Sequence, residues 1–303
     1  MAKHDMLTQR MPDTLSIVGA GRVGRALGRQ LRGLGWRIGV VTGRSLTTAR
    51  AAVRMIGGGH PTNLLTCHVL DSDVILITTP DSAIADVAKA LAEIGGQQWR
   101  GKVVLHTSGA DDSSVLKPLA DLGAATGSMH PMQTFSSQRL PELAGRMFGI
   151  DGSPAALKVA QKMIRQLGGL AVRLSGANKA AYHAAGSFAC AHVLTMMETA
   201  VRLLMAQGFT RRQAVRALLP LTRQTLDNFE SVGPRQAWTG PMARGDFSTV
   251  ERHVKALAGF PHEFLDAYKA ASRLAAIVLS NESGATMRQL DRALGSTAKR
   301  RKK

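Results

Sequence analysis

The sequence is poor in cysteine, in aromatic residues and in acidic residues, and each shortage excludes something. Two cysteines in 303 residues, Cys67 and Cys190, stand far apart with no CxxC or Cys/His zinc spacing. A disulfide framework and a structural metal are therefore not expected, and a reducing, cytoplasmic setting fits. Aromatics make up 4% of the chain and do not interleave with the basic residues as they do in single-strand nucleic-acid binders. Acidic residues number 21 against 39 Lys and Arg, a net charge of +18. Five of those positive charges form the terminal run Lys299 to Lys303, and the rest are scattered, so the charge reads as a basic surface suited to small anions, with nucleic acid a weaker reading. No apolar run approaches the ~20 residues that a membrane span needs, and Met1 to Thr14 lacks the continuous apolar core of a signal peptide. No membrane partner is expected.

What remains is a chain 45% hydrophobic and long enough for two domains. From Thr14 to about Ile150, short apolar runs alternate with helical spacing: Leu15–Val18, Ile38–Val41, Val74–Ile77 and Val103–Leu105. Strands separated by crossover-length segments indicate parallel βαβ units. From Ser153 onward the spacing turns helical, with Ala-, Leu- and Met-rich segments and no strand alternation. The reading is an α/β domain with a parallel sheet over 14–152, then an all-α domain over 153–293, between a flexible N-terminal tail (1–13) and a basic tail (294–303).

The first apolar run leads directly into Gly19-Ala20-Gly21-Arg22-Val23-Gly24, a G-x-G-x-x-G followed by apolar residues at helical spacing. In that context the glycines serve a tight turn, a backbone able to approach a pyrophosphate, and close helix packing, while the helix N-terminus offers free N–H groups to the anion. The turn after the third run, Thr79-Pro80, opens on the same crevice. An acidic residue after the second strand would bind the ribose hydroxyl of NAD, yet Thr14 to Leu70 contains no Asp or Glu. Arg44 and Ser45 stand there instead, suiting the 2'-phosphate of NADP, so NADP is expected ahead of NAD.

For the reacting end, two regions compete. One comprises His106-Thr107-Ser108-Gly109-Ala110 and Ser128-Met129-His130-Pro131-Met132-Gln133, which follow strands and aim Ser108, His130 and Gln133 at the crevice. The other is Lys179, His183 and Ser187, spaced by four on one helical face among small neighbours. An ammonium can stabilise developing alkoxide charge and an imidazole can supply a proton, although a lysine at a helix start is commonly solvated and a histidine on an alanine-rich face is commonly a satisfied core residue. Thr239-Gly240-Pro241-Met242-Ala243-Arg244-Gly245-Asp246 reads as a shaped, non-helical turn that displays Arg244.

Together these stretches resemble the Rossmann-like oxidoreductases whose C-terminal domain is of unknown function, within the 6-phosphogluconate dehydrogenase-like superfamily. The resemblance covers nearly the whole chain, through H-T-S-G-A at 106–110, S-M-H-P-M-Q-T-F at 128–135, Y-H-A-A at 182–185, T-G-P-M-A-R-G-D at 239–246 and His253. It implies a dinucleotide domain, a helical C-terminal domain of the 6-phosphogluconate dehydrogenase type, a homodimer through the helical half, and Lys179 as the residue that polarises substrate. The expected activity is NADPH-dependent reduction of a small 2-oxo acid, ketopantoate being the favoured candidate. Reduction of a cyclic imine acid, as in pyrroline-5-carboxylate reductases, or a non-catalytic NADP(H) sensor are the alternatives. Arg244 would take the substrate carboxylate, braced by Asp246, with Asn228 buttressing the loop. One departure stands out: the family commonly shows an asparagine where this chain has Ala191.

Overall fold

A computed structural model describes residues 13–136 and 140–295. Nearly all of both expected tails, including Lys299 to Lys303, lies outside the described residues. The chain divides into two compact units, Met1–Ala191 and His192–Lys303.

The first unit is built on one eight-stranded sheet: β1 (Thr14–Val18), β2 (Arg37–Thr42), β3 (His60–Thr62), β4 (Val74–Ile77), β5 (Val103–His106), β6 (Ala125–Pro131), β7 (Met147–Gly152) and β8 (Leu170–Arg173). Its order is β3-β2-β1-β4-β5-β6-β7-β8. Strands β1 to β6 run parallel, and β7 pairs with β6 antiparallel before pairing with β8 in parallel. The helices of this unit are α1 (Arg22–Gly33), α2 (Leu46–Ile56), α3 (Asp81–Gly95), α4 (Lys117–Ala120), α5 (Pro154–Gln166) and α6 (Lys179–Ser187).

Both faces of the sheet are covered, which is why β4 reads as an uninterrupted apolar run with no polar alternation. Val74 and Leu76 join Leu27 and Leu31 of α1 and Met163 of α5 in one core. Ile75 and Ile77 join Ile84 and Leu91 of α3, with Trp99, in the other. Strand order reverses between β1 and β4, and in sheets of this kind ligands bind outside the carboxyl ends of the strands at that point.

The stretch after Ser153 is not wholly helical, because β8 adds a further strand, and the break read at Asp151–Pro154 falls inside the first unit. Strand β8 is hard to read in the sequence because it is only four residues long, and so short an apolar run does not separate strand from helix; all four of its residues are exposed, Leu170 by 57%. Segment 128–131, read as a loop beyond a strand, is itself the end of β6, which places Ser128 and His130 at alternate positions and hence on one face.

The second unit contains α7 (Val193–Met205), α8 (Arg211–Ala237), α9 (Phe247–Leu257), α10 (His262–Val278) and α11 (Ser283–Ala293). Gly233, at φ +78°, breaks α8 just before Pro234. Val250, Ala276, Leu290 and Leu294 form a small core between α9, α10 and α11. The fold is thus a Rossmann-like sheet unit followed by a helical one, as expected.

Candidate functional site

The glycine loop has the shape of a phosphate cradle. Gly19 sits at φ +115°, where a side chain is strained, and a Cβ there would lie 2.7 Å from the Thr78 and Thr79 backbone. A Cβ on Gly24 would come within 2.5 Å of the Gly19 carbonyl and of Thr78 Oγ1, the pair that makes a 2.6 Å hydrogen bond across the switch point. Gly21 differs. Among the described residues, the only neighbour of a Cβ there within 4 Å is the Thr78 carbonyl at 3.7 Å, which leaves open space over Gly21. Gly21 is also the N-cap of α1, and no side chain caps that helix end. Free N–H groups at the positive end of the helix dipole, facing open space, suit a pyrophosphate.

Beside this loop, Gly43 approaches so closely that its Cβ would be 3.2 Å from that of Ala20, which brings the exposed Arg44 alongside the cradle. Arg22, at the start of α1, is exposed as well. Ser45 has a structural duty: its hydroxyl caps α2, accepting from Thr48 N at 3.2 Å. At the end of β4, Thr79 Oγ1 is buried with no hydrogen-bond partner among the described residues, next to Pro80. An orphaned buried hydroxyl is costly and rare in a finished structure. The residues present therefore fit a dinucleotide phosphate, with Arg44 and Arg22 placed for a further anionic group.

Lys179 lies inside the cluster at the ends of β5 and β6. It is 0% exposed, not presented on an open helix face. Its Nζ donates to the Ser108 carbonyl at 3.0 Å and to Ser128 Oγ at 2.6 Å, both themselves buried. Burial pushes its pKa down, opposed by Asp151, Asp112, Asp111 and Asp81. The side chain fastens α6 to the ends of β5 and β6. Ser108 is fixed in turn, since its hydroxyl donates to Asp111 Oδ2 and accepts from Asp111 N and Ala110 N, while its own N–H donates to His106 Nδ1 at 3.2 Å.

His106, which sequence reasoning leaves out of the site, is fully buried. Nδ1 accepts from Ser108, so the ring proton lies on Nε2 and is directed at the Asp112 carbonyl, 3.1 Å away. Burial, then the charge of Lys179, lowers its pKa to about 4. His130 is also pushed down to about 4, by burial, His183 and Lys179 in that order.

Both shifts have a consequence for stability. The unfolded chain takes up these protons below about pH 6.5, whereas the folded protein refuses them until about pH 4, so stability falls as pH drops through that window and levels off below it. Each histidine is worth about 3 kcal/mol at full development. Urea unfolding at pH 7 and pH 4.5 should show the loss, and His106→Gln should flatten the slope.

The open part of the cluster is made of imidazoles. His183, half-buried, stands edge-on to His130 with ring centres 5.6 Å apart, and Tyr182 stands edge-on from the other side at 5.5 Å. Gly109 closes the group: a Cβ there would lie 2.6 Å from His183 Cδ2 and 2.8 Å from His130 Nε2. Expected site residues Lys179, Ser108, His130 and His183 are therefore brought together at the ends of β5 and β6. Ser128 and Tyr182 belong with them, and the spacing of Ser128 two residues before His130 is the signal that could have found the first.

Other expected residues are occupied elsewhere. Ser187 donates to the His183 carbonyl one turn back. Gln133 is bonded through Oε1 to Thr134 N and through Nε2 to the Glu142 carbonyl, bracing its own loop. Asn228 lies within α8, where Oδ1 accepts from Gln224, and it caps no loop. Asp246 does not hold Arg244: it is the N-cap of α9, accepting from Thr249 N, Thr249 Oγ1 and Ser248 Oγ, contacts that lower its pKa. Contrary to the sequence reading, the turn is not wholly non-helical: Met242–Arg244 forms one 3-10 turn, flanked by Gly240 at φ +104° and Gly245 at φ +74°, and Arg244 is exposed. Asp246→Ala should lower the urea midpoint through loss of that cap, while Arg244→Ala should leave it almost unchanged. Beyond Ser187 the helix passes through a π turn, Phe188–His192, so Ala191 is not in the phase relative to His183 that plain α geometry gives it.

A Rossmann-like domain model matches residues 2–131, and the model of a domain of unknown function (DUF2520) matches residues 146–275. No curated protein matches the chain. Among solved structures, a presumed NADP oxidoreductase from Bacteroides fragilis is 23% identical, with a TM-score of 0.71 over 86% of this chain and 97% of that one. An imine reductase from Myxococcus stipitatus in complex with NADP+ is 16% identical, with a TM-score of 0.67 over 93% of this chain and 100% of the other. A pyrroline-5-carboxylate reductase from Coxiella burnetii is 20% identical, with a TM-score of 0.55 over 90% and 100%. At these identities the likeness establishes the fold that the chain shares with them. Its DUF2520 match takes in α5, β8 and α6, which is why the family boundary precedes the boundary between compact units.

Proposed function

We propose that the protein is an NADP(H)-dependent reductase acting on a small imine acid, a cyclic imine of the pyrroline-carboxylate kind being the first candidate. The observation that carries this reading is the burial of Lys179. A 2-oxo acid gains negative charge on oxygen as it is reduced and calls for a cation on the open face of the site. Lys179 is committed to Ser108 and Ser128. What faces outward is an imidazole pair, and an imine requires a proton on nitrogen, which a half-buried His183 beside a largely neutral His130 can give. Solved structures of imine reductases and of a pyrroline-5-carboxylate reductase share the fold, in keeping with this choice. The 2-oxo acid reading, ketopantoate included, is second.

When bound, NADPH supplies the hydride that goes to the imine carbon. The protein's part is to hold the pyrophosphate on Gly19 to Gly24 and α1, to meet the 2'-phosphate with Arg44, and to deliver the proton through His183.

We assign a homodimer to the same reading. One stretch among the described residues, Gly176–Met205, has the length and composition of a span, weak evidence by itself, and 6% of its most apolar window is buried. Lys179, near its start, is tied to the sheet, which argues against a span. Leu194, Leu221, Phe229 and Ile277, each more than half exposed on α7, α8 and α10, call for an apolar cover such as a second copy.

Loss of NADPH absorbance over a panel of cyclic imine acids and 2-oxo acids tests the assignment. Imine turnover should exceed 2-oxo acid turnover at least tenfold, and His183→Gln should lower kcat about a hundredfold. The reverse preference would restore the 2-oxo acid reading. Tight NADPH binding without turnover would make the protein a sensor.

A further inference from the structure

His130 is held on every side that the structure describes. Tyr182 and His183, neighbours on α6, stand perpendicular to its ring at 85° and 88°. The Gly109 loop lies against Nε2, and β7 backs the arrangement, because Gly149, paired with His130 in the sheet, would place a Cβ 2.9 Å from Tyr182 Cζ. Only a glycine at 149 admits the phenol to this position. The charged or titratable groups that bear on His130 are His183 and Lys179, both from α6.

Tyr182 presents one hydroxyl proton to two acceptors on the same residue. His130 Nδ1 is 3.1 Å from the phenol oxygen and the His130 carbonyl is 3.4 Å away. Burial pushes the Tyr182 pKa up, so the phenol keeps its proton and acts as a donor. Given to the nearer acceptor, that proton occupies the Nδ1 lone pair. A neutral imidazole with Nδ1 as acceptor carries its own proton on Nε2, the nitrogen that faces the Gly109 loop beside His183.

We infer that Tyr182 is a positioning residue: its phenol fixes the orientation and tautomer of His130, so that Nε2–H is held as a donor beside His183 at the reacting end. This inference rests on the proposed reductase reading for its use, but not for its test. With Nδ1 occupied, the ring has no equivalent flipped state, and the pair next to substrate becomes one fixed donor, His130, beside the half-buried His183. Nothing in the sequence assigns Tyr182 a role beyond its place in the Y-H-A-A motif.

Long-range proton–nitrogen correlation spectra of the ¹⁵N-histidine-labelled protein, without substrate, read the tautomer directly, with His130→Gln identifying the resonances. The wild type should show His130 protonated on Nε2, and Tyr182→Phe should shift it to a mixture of tautomers while leaving the NADPH dissociation constant unchanged. His130 protonated on Nδ1 in the wild type, or a spectrum untouched by Tyr182→Phe, overturns the inference whether or not any substrate is turned over. On a turned-over substrate, Tyr182→Phe should lower kcat about tenfold and displace the acid limb of the kcat pH profile, with KM little changed; a uniform fall with an unshifted profile would also overturn it.

Discussion

Gly21→Val should leave the protein as stable as wild type and cost it at least about a hundredfold in NADPH affinity, roughly 3 kcal/mol, whereas Gly24→Val should lower its thermal midpoint by several degrees. The two substitutions make the same chemical change in one loop, three residues apart. They differ in what surrounds them. Over Gly21 there is open space at an uncapped helix N-terminus, and a valine there fills volume that a pyrophosphate would use. At Gly24 the added carbon meets the Gly19 carbonyl and Thr78 Oγ1 at 2.5 Å, so either the helix moves off β1 or the Thr78 to Gly19 hydrogen bond breaks. Overpacking of this kind costs about 1–3 kcal/mol or more. Calorimetric titration with NADPH and thermal unfolding of both variants measure the contrast. Unimpaired NADPH binding by Gly21→Val would remove the glycine loop from the cofactor site.

Lys179→Met should destabilise the protein by about 3 kcal/mol and reduce turnover as well, though the lysine need not touch substrate. Removing it leaves the Ser108 carbonyl and Ser128 Oγ without their donor inside the protein, and it strips the nearby Asp151, Asp112 and Asp111 of a cation. The loop from His106 to Asp112 then loses its tie to α6, and His183, one turn further along that helix, loses its register with His130. The lysine also has a pH signature. Its folded pKa lies below the ordinary lysine value of 10.5, so the unfolded chain binds the proton more tightly. Wild-type stability should therefore rise as pH climbs through the interval below 10.5, and the rise should be missing from the Met variant. Urea unfolding of both proteins from pH 7 to pH 10 measures the two effects together; equal pH slopes would show that Lys179 is not held in an unfavourable burial.

The cofactor loop is legible in the sequence because its chemistry is local. A strand, three glycines at fixed offsets and a helix start are contiguous in the chain, and the phosphate site is made from their backbone. The absence of acidic residues from Thr14 to Leu70, with Arg44 in their place, is readable for the same reason. The reacting end is legible only in part. Four-residue spacing correctly places Lys179 and His183 on one helix, but periodicity says nothing of what lies opposite a face. The tie of Lys179 to Ser108 and Ser128 spans 71 and 51 residues, and the His130 to Tyr182 contact spans 52. Asp246 misleads for a related reason, since an acid next to an arginine in sequence looks like its partner, while the free N–H groups of α9 claim it.

The sequence by itself determined the parallel βαβ order, the glycine turn at the first strand, and the positive-φ turn that exposes Arg244, because each follows from steric rules acting over a few residues. Tertiary structure alone decided that Lys179 is an internal tie, that His106 and His130 are kept from protonating, and that β8 joins the sheet. Those outcomes depend on burial and on partners distant in the chain, and the free energy of a charge or a hydrogen bond is set by what surrounds it.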